Sequence, residues 1–152
     1  MLACREQFED QPAHGIAECF EDGHSALGGA VGSATSTPFH AYARERLFTP
    51  LGITGQYWFV SGYDTTVHTG GGLNLRAIDL ARVGYLVLKQ GQWNGREVVS
   101  REWIARSTAP ITFRPASLGG VSMDYGFLWW LNRGTRAYPS ASEDSFFALG
   151  AG

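Results

Sequence analysis

The stretch "GGGLNLRAIDLARVGYLVLKQG", residues 70–91, decides the fold. Between Arg76 and Gln90 the residues Leu80, Val83, Val87 and Leu88 recur at helical spacing on one stripe, which predicts an amphipathic helix facing a core. Gly91 is placed to close it in the left-handed conformation. Asp79 sits in the first turns, where a carboxylate complements the helix dipole; it could instead orient a base or bind a substrate amine. The glycines Gly70, Gly71 and Gly72 are not followed by Lys-Ser/Thr, so they do not make a phosphate-binding loop.

Downstream of this helix, Trp93-Asn94-Gly95-Arg96 carries the Asn-Gly signal of a tight turn, and Ser100 predicts the cap of a short helix through Trp103 and Ile104. Residues 108 to 122 read as loop. Tyr125 to Leu131 and Ser145 to Leu149 are aromatic runs bounded by turn residues, predicting two strands separated by Asn132 to Asp144. Upstream, Thr54 to Gly72 reads as a short strand or two with loops. Thr37-Pro38 predicts a helix start, with Thr as cap and Pro at the first helical position. Phe39, Tyr42, Ala43 and Leu47 form its buried face, and Pro50-Leu51-Gly52 ends it. From Ser25, Ala26, Leu27, Ala30, Val31 and Ala34 predict another helix; Gly28, Gly29 and Gly32 weaken it, so it needs close packing against a neighbour. Residues 1–13 form an irregular lead-in. Helices first and strands last predict an α+β fold.

The chain has 152 residues, 44% of them apolar and 17% charged, with a formal net charge of −2. This is an ordinary globular composition with no basic stripe for nucleic acid and no polybasic segment for a membrane surface. No apolar run approaches the ~20 residues of a spanning helix, and the first residues lack the pattern of a secretory signal. Localisation therefore stays open. Cys4 and Cys19 read as two ordinary thiols, and no Cys/His cluster has zinc spacing, so no metal or other cofactor is predicted.

Among candidate catalytic residues, Ser25 stands in Gly23-His24-Ser25-Ala26-Leu27, one glycine short of a nucleophile elbow. The acidic segment before it is unlike the buried strand an elbow requires, so Ser25 reads as a helix-start residue. His14, His24, His40 and His68 are general-base candidates by residue type alone, and each reads as a solvated side chain. Trp129 and Trp130, with Tyr125 and Phe127, could line an aromatic pocket or pack a core. Strand alternation puts the two tryptophans on opposite faces, so at most one lines a given pocket.

Taken in order, several stretches resemble the penicillin-binding-protein-like serine hydrolases: class C type β-lactamases, DD-peptidases, related esterases and nylon-oligomer hydrolases. They are Asp22 to Val31, Tyr42 to Ile53, Gly70-Gly71-Gly72-Leu73 with Asp79-Leu80-Ala81-Arg82-Val83-Gly84, Gln92 to Gly95 with Val98-Val99, Tyr125 to Trp130, and Phe147 to Gly152. The resemblance covers nearly the whole chain from His14 onward. It implies an α/β sandwich with an antiparallel sheet joined to a helical domain, no cofactor, and hydrolysis of a small amide or ester through an acyl-serine in full-length relatives.

The resemblance also implies which residues carry the chemistry. The family's Ser-x-x-Lys, source of the nucleophile and its lysine partner, has no counterpart: the one lysine is Lys89, and Leu86 stands three residues before it. The nucleophile is therefore absent. The family's Tyr-x-Asn/Asp falls on Phe20-Glu21-Asp22, where Asp22 fits and Phe20 lacks the hydroxyl that would relay a proton, a role worth about 10²- to 10⁴-fold in rate. The Gly-x-Gly form of the third motif falls on Gly150-Ala151-Gly152, with Ala151 as the oxyanion amide donor. Tyr125 and Trp130 are the substrate-binding candidates. Residues 14–152 are then expected to be the C-terminal part of a β-lactamase-like domain, truncated at both ends and inactive as it stands. An incomplete sheet would invite self-association. The alternative is a non-catalytic α+β interaction or complementation module.

Overall fold

The computed structural model describes residues 26–58, 67, 69–111, 116–118, 121–133 and 138–148, with backbone alone at 116–118 and 121–122. The chain is α+β, and it divides into two units, one up to Val83 and the other from Gly84 onward.

In the first unit, residues 26–35 form helix α1. The predicted helix is present, but a different face is turned inward. Gly28 is buried and Val31, Gly32 and Thr35 are half-buried, while Ala26, Leu27, Ala30 and Ala34 are exposed. The reason is steric: a Cβ at Gly28 would overlap the Thr69 side chain. The helix therefore approaches its neighbour at Gly28, where no side chain holds it off.

Helix α2, Phe39–Ala43, starts differently from the sequence expectation. Pro38 is itself the cap residue (φ −53°, ψ 136°), with no side-chain cap. The Thr37 hydroxyl donates instead to the Thr35 carbonyl at 3.2 Å. The chain then continues as a π-helical turn, Arg44–Phe48, in which Thr49 N–H donates to Arg44 O at 2.8 Å. A five-residue hydrogen-bonded turn adds one residue to the helical repeat. That extra residue brings Phe48 rather than Leu47 to the fully buried position, its ring tilted against Trp58 at 5.7 Å. Leu51 and Ile53 complete this core, and Gly52 (φ +67°) supplies the left-handed stop. Two short antiparallel strands follow, β1 (Tyr57–Trp58) and β2 (Leu73–Asn74).

Helix α3, Ala77–Leu88, is the one the opening stretch predicts, rotated from its expected phase. Asp79, Leu86 and Val87 are buried, whereas Leu80 and Leu88, both assigned to the core from sequence, are 62% and 73% exposed. The rotation follows from Asp79, whose side chain is fully buried between Arg76 and Arg82. Hydropathy alone does not register such a polar anchor. At the C-terminus the Schellman closure has Gln90 as its left-handed cap (φ +54°), with Gln90 N–H donating to Val87 O and Gly91 N–H to Leu86 O, each at 2.9 Å; Gly91 is left-handed too (φ +84°), one residue beyond the cap position expected of it.

In the second unit, β3 (Gln92–Trp93) and β4 (Arg96–Glu97) form the predicted hairpin, with Asn94 and Gly95 at positive φ as a type I′ turn requires. Ser100 caps helix α4, Arg101–Ser107, its hydroxyl accepting from Trp103 N–H at 3.1 Å. Two expectations fail beyond this point. The stretch read as loop contains β5 (Ala116–Leu118) paired antiparallel with β6 (Val121–Tyr125). Ala116, Ser117, Ser122 and Asp124 carry little strand propensity, and ladder pairing supplies what propensity does not.

The run Tyr125 to Leu131 is also not one strand. It turns at Gly126, so that Tyr125 pairs with Trp130 of β7 (Trp130–Leu131). Gly126 N–H closes the turn on Trp129 O at 2.8 Å, and a Cβ at Gly126 would strike the Ser107 carbonyl. Strand β8, Phe146–Phe147, pairs with β7 and completes a sheet of order β5-β6-β7-β8.

Candidate functional site

Phe20, Asp22 and Ala151 lie outside the described residues, as do Ser25, His14, His24, His68, Cys4 and Cys19. The two substrate-binding candidates are described. Tyr125 and Trp130 face one another across β6 and β7, ring centroids 4.9 Å apart and nearly perpendicular. Both are half-buried, and burial pushes the Tyr125 phenol above its ordinary range. At neutral pH this phenol is a hydrogen-bond donor or acceptor and not a base. Trp129 takes a different partner, Phe146, at 5.3 Å. The two tryptophans thus serve separate aromatic contacts, although Trp129 lies in the turn and the alternation argument applies to Trp130 alone.

Asn132, fully buried at the end of β7, has no counterpart in the sequence-based site. Its amide nitrogen donates to Tyr138 O (3.0 Å) and Ser142 O (3.2 Å), while its oxygen accepts from Tyr138 N–H (3.1 Å). One side chain thereby fastens the 138–142 loop beside the aromatic strands, where Tyr138 meets Phe147 edge-on at 5.1 Å. The available signal is a polar residue directly after an aromatic strand, but asparagine in that place also reads as an ordinary turn residue. Near the other end of the β6–β7 turn, Trp103 of α4 stacks flat on Phe127 at 5.6 Å, and the Arg106 guanidinium lies 5.9 Å from the Phe127 ring.

Asp79 has the structural role among those considered for it. It accepts from Arg76 Nε at 2.6 Å and from Arg82 at 2.9 Å, and Arg82 also donates to Gly52 O at 2.8 Å. The Arg76 hydrogen bond holds the Asp79 carboxyl below the usual carboxylate range. Charge attraction from Arg76 and Arg82 adds to that, and together they outweigh desolvation. A carboxylate so paired is a poor general base. His40 is half-buried in α2, and Lys89 lies exposed just past α3, its ammonium 5.4 Å from the Tyr85 ring. Among the described residues no group of His, Cys, Asp and Glu could hold a metal, and no helix is long and apolar enough to cross a membrane.

The fold these elements build is shared with part of a solved structure. The solved structure concerned is that of a Bacillus anthracis protein assigned as a 6-aminohexanoate-dimer hydrolase: TM-score 0.67, 23% sequence identity, 84% of this chain covered. The chain spans 31% of that protein's length. No protein-family model and no curated protein matches the sequence.

Proposed function

We propose that the chain descends from serine hydrolases of the β-lactamase type, whose members cleave a small amide or ester through an acyl-serine, and that it forms no acyl-enzyme on its own. The shared fold and the ordered sequence stretches support the lineage. The observation that carries the second half is Lys89. It is the one lysine of the chain, it has Leu86 three residues before it, and it stands in solvent beside Tyr85. A serine hydroxyl is a weak nucleophile until an adjacent base takes its proton, and no lysine is placed to do so here.

The test is active-site labelling of the purified chain with a fluorescent penicillin and an activated ester. No covalent adduct is expected in intact-mass spectra. Stoichiometric labelling that disappears in Ser25→Ala would overturn the reading.

A further inference from the structure

The chain has three asparagines, Asn74, Asn94 and Asn132, and the structure restrains only two of them. Asn132 is fully buried, its amide nitrogen donating to the Tyr138 and Ser142 carbonyls and its oxygen accepting from Tyr138 N–H. Asn74 is half-buried in β2, and its amide nitrogen donates to Gly72 O at 3.1 Å. The residues after these two, Leu75 and Arg133, both carry bulky side chains. Asn94 differs on every count. It is exposed at the tip of the β3–β4 hairpin, no hydrogen bond among the described residues holds its amide, and glycine follows it.

A backbone amide beside an unrestrained asparagine is a nucleophile within reach of a carboxamide. Attack of the Gly95 nitrogen on Asn94 Cγ closes a five-membered succinimide, and the side-chain nitrogen leaves as ammonia, taking up the proton that Gly95 N–H gives away. Water then opens the ring at either carbonyl, leaving aspartate or isoaspartate. One water is consumed and one ammonia released, with no change of oxidation state. A side chain at position 95 would crowd the attacking nitrogen; Gly95 has none, and the space beside its Cα is open, since a Cβ there would meet nothing within 4 Å.

The turn itself sets the barrier. With Asn94 at φ +49° and Gly95 at φ +76°, the type I′ turn points the Gly95 nitrogen away from the Asn94 side chain, so the ring closes only after rotation about the Asn94 Cα–C bond. Two residue pairs resist that rotation, Gln92 with Glu97 and Trp93 with Arg96, and so short a ladder opens locally at small cost. Residues 94–97 are all exposed, which admits the hydroxide that deprotonates the Gly95 amide.

We propose that Asn94-Gly95 is a self-modification site, a turn that converts without an enzyme to isoaspartate and aspartate and so alters its own hairpin. The two products act differently there. Aspartate keeps the main chain unchanged and tolerates the left-handed position. Isoaspartate routes the main chain through Cβ, and a two-residue loop has no place for the added backbone atom.

The test is incubation of the folded full chain in buffers from neutral to mildly alkaline pH, followed by peptide mass spectra. Residues 90–96, cut out after Lys89 and Arg96, hold Asn94 as their single asparagine. This peptide should gain the mass of a carboxyl over a carboxamide and accept methyl groups from an isoaspartyl methyltransferase, at a rate that climbs with pH. Conversion at Asn94 should outrun that at Asn74 and Asn132 by about tenfold or more, equal to about 1.4 kcal/mol of barrier. In Asn94→Gly, which a type I′ turn also accepts, methyl acceptance by this peptide should vanish while the thermal midpoint holds. Conversion at Asn94 no faster than at Asn74 overturns the proposal. So does aspartate formed without isoaspartate, the mark of direct side-chain hydrolysis, or a rate that pH does not move.

Discussion

At the scale of single residues, Asp79 and Gly91 hold the described structure in ways that composition does not reveal. Asp79 has its carboxyl depressed below the ordinary range by Arg76 first, with Arg82 adding to it. A carboxylate of this kind contributes stability that is fully present above its unfolded pKa, near 4, and is lost as pH falls through its lower folded value. Wild-type stability should therefore decline on acidification below about pH 5. In Asp79→Asn the thermal midpoint at pH 7 should drop by several degrees, and the acid-side slope should flatten, as calorimetry across pH 3 to 7 would show. Equal slopes in the two proteins would mean that the ion pair contributes nothing to folding. Gly91 is bound by geometry instead. Its φ is +84° and an added Cβ would run into the Val99 carbonyl, so Gly91→Ala should cost more than the ~1 kcal/mol of a left-handed alanine alone. Urea unfolding would measure it. Gly91 was legible from its place after the helix; Asp79 was legible as a first-turn acid, but its two arginine partners were not, because sequence spacing does not report burial.

At the scale of elements, the ends of helices and turns proved readable and their rotational phase did not. Gly91, Ser100 and Asn94-Gly95 each impose a local backbone conformation through their own chemistry, and each does so where it was predicted, Gly91 one residue beyond the cap itself. Phase depends on tertiary contact. The sequence of α3 carries apolar residues on most of its circumference, so a period can be found for either face, and the buried Asp79 selects between them. In α2 the π-helical turn moves the core position by one residue, which a 3.6-residue template cannot anticipate. The strands β5 and β6 escaped notice because pairing rather than side-chain type makes them strands. The phase of α3 yields a direct contrast. Leu86, 1% exposed, should lose about 2–5 kcal/mol on change to alanine, whereas Leu88→Ala should stay within about 0.5 kcal/mol of wild type. Comparable losses at the two positions would restore the phase read from hydropathy. Ser100→Ala removes the acceptor for Trp103 N–H and should cost about 1 kcal/mol of stability, read in the same urea titrations.

At the scale of the whole molecule, the described residues bury eight apolar side chains and leave eleven large ones exposed. Exposed leucines scattered singly are ordinary, whereas Leu80 and Leu88 share one helix, α3. The α+β class was readable because helical periods precede the aromatic strands in the chain. The candidate site was readable only in part: Tyr125 and Trp130 do meet, as cross-strand partners around a turn at Gly126 that the sequence reading ran through as one strand. An environment-sensitive dye tests whether the native chain presents Leu80 and Leu88 to solvent. Anilinonaphthalene sulfonate should brighten on mixing with the folded protein at neutral pH, well below the unfolding transition, because both leucines offer exposed apolar surface. The double variant Leu80→Glu/Leu88→Glu should lose most of that signal while its thermal midpoint holds. A partly unfolded population would instead brighten the dye equally in both proteins, and the thermal transition would be broad in each. The comparison therefore separates an apolar surface of the native state from a loosely packed core.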